Sequence, residues 1–217
     1  MVERVSPQHF HDADGVGDWR VLFGGATTYF ATGSFSKGVE LVEAIGQLAD
    51  AANHHPDVDL RYGGLRVTTV THEIGDISDR DVALAQQISE AARGMGIPAD
   101  PSKVQVMQVS IDALDIAKVR PFWCAAMGYV ERGDDDAVDP LSYGPVVTFQ
   151  QMDEPRSERS RIHIDVSVPR DQVDDRVAAA LAAGGHVVND ANAPHWWTLA
   201  DAEGNEVDLA PWADDLD

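Results

Sequence analysis

Gly94-Met95-Gly96-Ile97-Pro98-Ala99-Asp100-Pro101 constrains the fold of this 217-residue chain more than any other stretch. Two glycines and two prolines in eight residues can neither continue a helix nor occupy a central strand. The chain is therefore expected to divide there, into a first domain of residues 1–96 and a second of residues 103–213. Pieces of that size are within the range of independently folding domains.

In the first piece, Trp19 to Phe30 reads as strand material broken by a Gly24-Gly25 turn. Ser34 then caps a helix on which Phe35, Val39, Val42, Ala49 and Ala52 recur at helical spacing. Leu65 to His72 is β-branched and strand-like. Ser78 to Ala92 forms a second helix, with Val82, Ala85, Ile88 and Ala92 on one face. This is an α+β layout, helices laid on one face of a small antiparallel sheet.

The second piece contains an internal repeat of a strand, a helix and further strands. Val104 to Ile111 leads into a helix over 115–127 that ends at Gly128, and Arg161 to Val168 leads into one over 171–183 that ends at Gly184-Gly185. The spacing from Gln108 to Gly128 is twenty residues and that from His163 to Gly184 twenty-one, so the halves match to within an indel. Residues 133–144 and 153–160 between them read as polar loops. Strand alternation puts Ile162, Ile164, Val166 and Val168 on one face and His163, Asp165 and Ser167 on the other, with Glu206 and Asp208 opposite Val207 and Leu209. The resulting sheets have one apolar face under helices and one polar face that can curl around a small ligand.

Composition narrows the function classes. With 37 acidic against 16 basic residues the formal charge is −21, which disfavours nucleic acid and anionic membrane surfaces as partners. No run approaches the roughly 18 apolar residues of a membrane span, and residues 1–20 are too polar for a signal peptide. The single cysteine, Cys124, excludes an internal disulfide and a cysteine-rich zinc site. A cytoplasmic protein is expected.

Chemistry is concentrated in the first piece. Asn53-His54-His55-Pro56-Asp57 follows the first helix, Thr71-His72 comes seventeen residues after His55, and Asp81 lies beyond it. Imidazoles titrate near neutral pH, so three of them beside a carboxylate can move protons without a metal or a thiol. Such a set suits elimination of water from a carbinol: one group protonates the leaving hydroxyl while another takes a proton from the neighbouring nitrogen. Asp81 also completes a capping box with Ser78, and the two roles are compatible. Asp50 reads as a solvated helix residue, and His9 and His11 as exposed.

The stretch from Asp50 through Asn53-His54-His55-Pro56-Asp57, Tyr62, Thr71-His72-Glu73 and Ser78-Asp79-Arg80-Asp81-Val82-Ala83-Leu84-Ala85 resembles the pterin-4a-carbinolamine dehydratases, over about residues 1–93. The resemblance implies a four-stranded antiparallel sheet with helices on one face. It also implies dehydration of 4a-hydroxytetrahydrobiopterin to quinonoid dihydrobiopterin with no cofactor. It puts His54, His55, His72 and Asp81 at the catalytic positions and Asp57, Thr71 and Glu73 at the pterin, and implies a homodimer or higher homo-oligomer.

The second piece resembles the glyoxalase-like members of the vicinal oxygen chelate superfamily, built from paired βαβββ modules, over about residues 104–212. The carrying residues are Phe122-Trp123, Met127-Gly128-Tyr129, Arg161-Ile162-His163-Ile164-Asp165 and Trp197 through Glu206. Metal-dependent members take ligands from four strand positions, which here fall on Gln108, Gln150, His163 and Asp208. Two neutral amides suit a divalent transition metal poorly, so no metal is expected. Trp196 and Trp197 suit either core packing or stacking on a ring. The alternative to the dehydratase is a small-molecule binding protein, or a metal-dependent lyase or dioxygenase acting through this second piece.

Overall fold

A computed structural model describes residues 2–155, 164–168 and 171–211. Two compact units make up the chain, Met1–Val106 and Met107–Asp217.

The first unit opens with a short helix, α1 (Pro7–Asp12), capped by Ser6. It was not expected from so polar a segment, and a single buried residue, Phe10, anchors it. Strands β1 (Arg20–Leu22) and β2 (Gly25–Phe30) form the expected hairpin across Gly24-Gly25. Helix α2 (Phe35–Ala52) is followed by β3 (Asp57–Arg61), β4 (Gly64–Thr69) and α3 (Asp79–Gly94). The sheet order is β1-β2-β4-β3, antiparallel throughout. Ala26 and Phe30 of β2, with Leu65 and Val67 of β4, bury against Leu41 and Ile45 of α2 and Leu84, Ala85 and Ile88 of α3.

Two local readings change. The buried stripe of α2 is Gly38, Leu41, Ile45 and Ala49, whereas Phe35 and Val39 stay exposed. Helix α2 carries two apolar stripes, and the one with the larger branched side chains at its centre faces the sheet. Strand β3 went unseen because Asp57 and Asp59 are poor strand formers and it is a largely exposed edge. The Gly/Pro stretch does end α3, but the chain then stays with the first sheet. Ile97 is buried, the Ala31 amide donates to the Pro98 carbonyl, and the Asp100 amide donates to the Tyr29 carbonyl.

The second unit repeats one module twice. In the first, β5 (Gln108–Ala113), α4 (Ile116–Met127), β6 (Val130–Arg132), β7 (Asp136–Val138) and β8 (Val146–Gln151) give the sheet order β5-β8-β7-β6. In the second, β9 (Ile164–Ser167), α5 (Val173–Ala182), β10 (His186–Asn189), β11 (Trp197–Ala200) and β12 (Glu206–Ala210) give β9-β12-β11-β10. First and last strands pair in parallel in both. This is the paired βαβββ architecture expected. Strand β7 lies in what read as a polar loop, since a three-residue strand beginning at Asp136 carries no alternation to detect.

A buried carboxylate fastens the two modules. Asp201, fully buried, accepts from Trp123 Nε1 of α4 at 3.0 Å, from the Glu203 and Asn205 amides at 2.9 Å each, and from Asn205 Nδ2 at 2.8 Å. The same turn sends the Glu203 carboxylate to the Leu114 and Asp115 amides, both at 2.7 Å, where α4 begins. Asp201→Ala leaves the buried Trp123 indole without its acceptor and releases the Glu203 and Asn205 donors. It is expected to cost about 3 kcal/mol, against about 1 kcal/mol for losing the cap in Glu203→Ala. Urea unfolding followed by tryptophan fluorescence checks this, and equal midpoints for the two variants would contradict it.

Candidate functional site

Helix α2 ends because Asn53 takes a left-handed conformation, φ 46° and ψ 45°, with its amide bonded back to the Ala49 and Asp50 carbonyls. The chain turns there, and the His54 amide also closes onto the Ala49 carbonyl. That turn separates two adjacent histidines. His54 points inward and is 5% exposed, while His55 stays in solvent.

His54 meets Asp81, which is fully buried in the first turn of α3. The His54 Nε2 to Asp81 Oδ1 distance is 2.8 Å, and Thr69 Oγ1 donates to the same oxygen at 2.7 Å. Asp81 Oδ2 accepts from Thr71 Oγ1 at 2.6 Å and from the Ser78 amide at 2.8 Å. The capping box is therefore complete, and Asp81 serves as cap and as histidine partner at once. Burial by itself would push this carboxyl up. The Thr71 and Thr69 hydroxyls, His54 and the Ser78 amide outweigh it and hold Asp81 below the usual carboxylate range. With every neighbour donating, His54 is assigned its proton on Nε2, leaving Nδ1 as the exchangeable atom.

The two exposed imidazoles flank this buried cluster. His55 is the chain neighbour of His54 and bonds Asp50 Oδ1 at 3.0 Å. His72 is the neighbour of Thr71 and sits on a turn closed by Gly75 amide bonds to the Thr71 and His72 carbonyls. Adjacent Cα atoms are about 3.8 Å apart. His55 and His72 each follow directly in the chain a residue that contacts this one carboxylate.

Arg80 links the two segments. Its Nη2 donates to the Asn53 carbonyl at 2.5 Å and its Nη1 lies 3.6 Å from Glu73 Oε1. Asp57 begins β3 and is exposed, whereas the Thr71 hydroxyl is turned inward to Asp81. Thr69 and Arg80 were not singled out in the sequence. Thr69 was detectable, as the polar end of a face that starts with Leu65 and Val67. His9 and His11 are exposed, and His9 Nε2 lies 2.9 Å from Asp79 Oδ1. A cavity of about 610 Å³ opens nearby, lined by Arg4, Phe23, Gly25, Gly75 and Ile77, but it includes neither His54 nor Asp81. The charged residues of its lining are Arg4 and Asp76, which pair with each other at 2.6 Å.

In the second unit Gln108 and Gln150 do not converge. The β5–β8 register sets Gln108 opposite Val146 and Gln150 opposite Asp112. Four residues along the ladder is about 13 Å. Gln108 Nε2 donates instead to Thr148 Oγ1 at 2.6 Å, which donates to Asp136 Oδ1 at 2.6 Å. Asp208 is half-buried on β12, and His163 lies outside the described residues. Among the described residues no group of three His, Cys, Asp or Glu side chains is placed to hold a metal ion. The described members of the set are two neutral amides and one carboxylate, donors that suit a divalent transition metal poorly. Trp197 packs against the core, and Trp196 is 36% exposed.

Comparison with known proteins agrees with this division. Residues 4–91 match the family model described as pterin 4 alpha carbinolamine dehydratase, and residues 108–210 match a glyoxalase-like domain. A Chloroflexus aurantiacus protein named "Putative pterin-4-alpha-carbinolamine dehydratase" is 36% identical over 73 residues, 34% of this chain and 78% of the relative. A Nocardia farcinica protein of the same name is 42% identical over 60 residues, 28% of this chain and 63% of the relative. Among solved structures, a glyoxalase-related enzyme from Fulvimarina pelagi is 19% identical, covering 49% of this chain and 87% of its own, with a TM-score of 0.40.

The buried carboxylate makes a pH prediction. Its pKa is depressed in the fold, so its stabilisation is present in full above the ordinary aspartate value of about 4 and is lost as pH falls through the lower folded value. Asp81→Asn should flatten that acid slope and cost about 2 kcal/mol at neutral pH. Urea midpoints between pH 7 and pH 3 read both effects, and an unchanged slope in the variant would count against the assignment.

Proposed function

Since the chain belongs to the pterin-4a-carbinolamine dehydratase family through its first unit and carries a glyoxalase-like domain in its second, we propose that it dehydrates 4a-hydroxytetrahydrobiopterin to quinonoid dihydrobiopterin. The observation that carries this reading is the buried His54–Asp81 pair with His55 and His72 beside it.

The reaction needs no redox change. The C4a–O bond breaks with its electron pair, the departing hydroxyl takes a proton to leave as water, and N5 loses its proton as the C4a=N5 double bond forms. A proton donor and a proton acceptor suffice. In this reading His55 and His72, both in solvent, meet the substrate, and His54 stands behind them with Nε2 held by Asp81. Asp57 and Glu73, exposed on neighbouring segments, are assigned to the pterin, with Thr71 supporting them through Asp81. The substrate is small, and a formal charge of −21 disfavours nucleic acid as a partner. Among the described residues no helix is long and apolar enough to cross a membrane. We place the protein in the cytoplasm as a homodimer or higher homo-oligomer.

Positioned acid–base groups are worth about 10²- to 10⁴-fold each. His55→Ala and His72→Ala should therefore each lower kcat at least about 100-fold, with circular dichroism unchanged. The assay follows the absorbance of chemically generated 4a-hydroxytetrahydropterin as it decays to the quinonoid form. Full activity in both variants would overturn the proposal.

A further inference from the structure

Thr69 touches both members of the buried pair. It is the last residue of β4, on the face that carries Leu65 and Val67 into the core, and it is fully buried. Its position is fixed by the sheet. Thr69 pairs with Ala26 across the β2–β4 ladder, and the preceding Gly25, at φ 137°, lies so close that a Cβ there would be 2.4 Å from the Thr69 carbonyl oxygen. Only glycine permits that approach. The backbone beneath the hydroxyl is thereby held in place.

A threonine hydroxyl has one proton to give and two lone pairs. Here the proton goes to Asp81 Oδ1 at 2.7 Å, and the oxygen lies 3.3 Å from His54 Nε2. The His54 N–H is thus shared between Asp81 and Thr69. We propose that Thr69 is a positioning residue for the proton-transfer site, keeping the His54 proton on Nε2 and limiting how strongly Asp81 pulls on it. The inference rests on the dehydratase reading of the same site.

The reasoning runs through Asp81. A carboxylate in a desolvated site that accepts fewer hydrogen bonds is a stronger base. Without the Thr69 hydroxyl, Asp81 becomes a stronger acceptor for the His54 N–H and holds that proton more tightly. A proton-transfer group works best when its pKa is near the operating pH. The other charged groups around the site engage other partners: Asp50 of α2 bonds His55, Arg80 of α3 bonds the Asn53 carbonyl and faces Glu73, and none of these is bonded to His54. His72 lies on the turn after Thr71.

The experiment compares Thr69→Val, Thr69→Ser and Thr69→Cys in the full chain by two readouts. One is the titration of His54 by side-chain ¹⁵N and ¹H NMR, with no substrate present. The other is kcat and KM for the dehydration as a function of pH. Valine keeps the shape without the hydroxyl. It should raise the His54 midpoint by about one pH unit and lower kcat at neutral pH about tenfold, with KM unchanged. Serine should restore both, and cysteine, a weak donor, should fall between. Should the valine variant fail to fold, the serine–cysteine pair carries the same comparison. A His54 midpoint that does not move in any folded variant lacking the hydroxyl overturns the proposal. A wild-type chain without dehydratase turnover overturns the functional reading instead, and the NMR titration tells the two failures apart.

Discussion

The first unit is organised around a carboxylate with no access to water. Taking an ionised aspartate into a protein interior costs several kcal/mol unless its oxygens are well served with donors. Asp81 receives His54 Nε2 and Thr69 Oγ1 on one oxygen, and Thr71 Oγ1 and the Ser78 amide on the other. These donors come from the turn after α2, the end of β4, the following turn and the start of α3. Three stretches of chain, at His54, Thr69–Thr71 and Ser78–Asp81, are thus tied to one point, and two of the donors carry a histidine with them. His54 brings His55, and Thr71 brings His72. The histidine arrangement depends on the carboxylate being buried and ionised, and the carboxylate depends on the donors. Removing the carboxylate strips every donor of its partner, whereas removing one donor leaves Asp81 with fewer bonds but still held by the rest.

Much of this was legible in the residues. Helix α3 was readable from Ser78 and the Val82, Ala85, Ile88 and Ala92 stripe, and the β1–β2 hairpin from Gly24-Gly25. The module repeat of the second unit was visible in the matching Gln108–Gly128 and His163–Gly184 spacings, because each module is one supersecondary unit copied with its helix length. The hidden parts have physical reasons. Helix α2 has two apolar stripes, and choosing between them requires knowing what packs on it. Strands β3, β6 and β7 are short and polar, formed by pairing with neighbours rather than by their own preference.

The site was legible by residue type and not by role. Three histidines and an aspartate at fixed spacings point to proton transfer, but nothing in their order says that one is buried and two are in solvent. That difference arises from a single backbone event, the left-handed Asn53, which turns His54 inward and leaves His55 outside. Thr69 shows the same limit from the other side. Its hydrophobic neighbours mark its face as core, and only the tertiary fold reveals that the core at that point contains a carboxylate.

The second unit uses a buried aspartate for a different end. Asp201 binds Trp123, its own turn and Asn205, while Glu203 of that turn caps α4, so the second module's last hairpin holds the first module's helix. Here the carboxylate meets no histidine and no solvent-facing partner with a titration near neutrality, and its donors are an indole and amides that cannot exchange charge. The contrast isolates what makes the Asp81 cluster a candidate for chemistry. Both carboxylates are buried and both are satisfied. Asp81 alone is joined to a ring that can gain or lose a proton, and that ring alone is followed in the chain by a second one in solvent. In the proposed reaction, burial supplies a fixed, water-excluded charge, and the adjacent exposed imidazoles are the groups assigned to the substrate. Proton transfer needs both, and in the described residues they meet at His54 and Asp81.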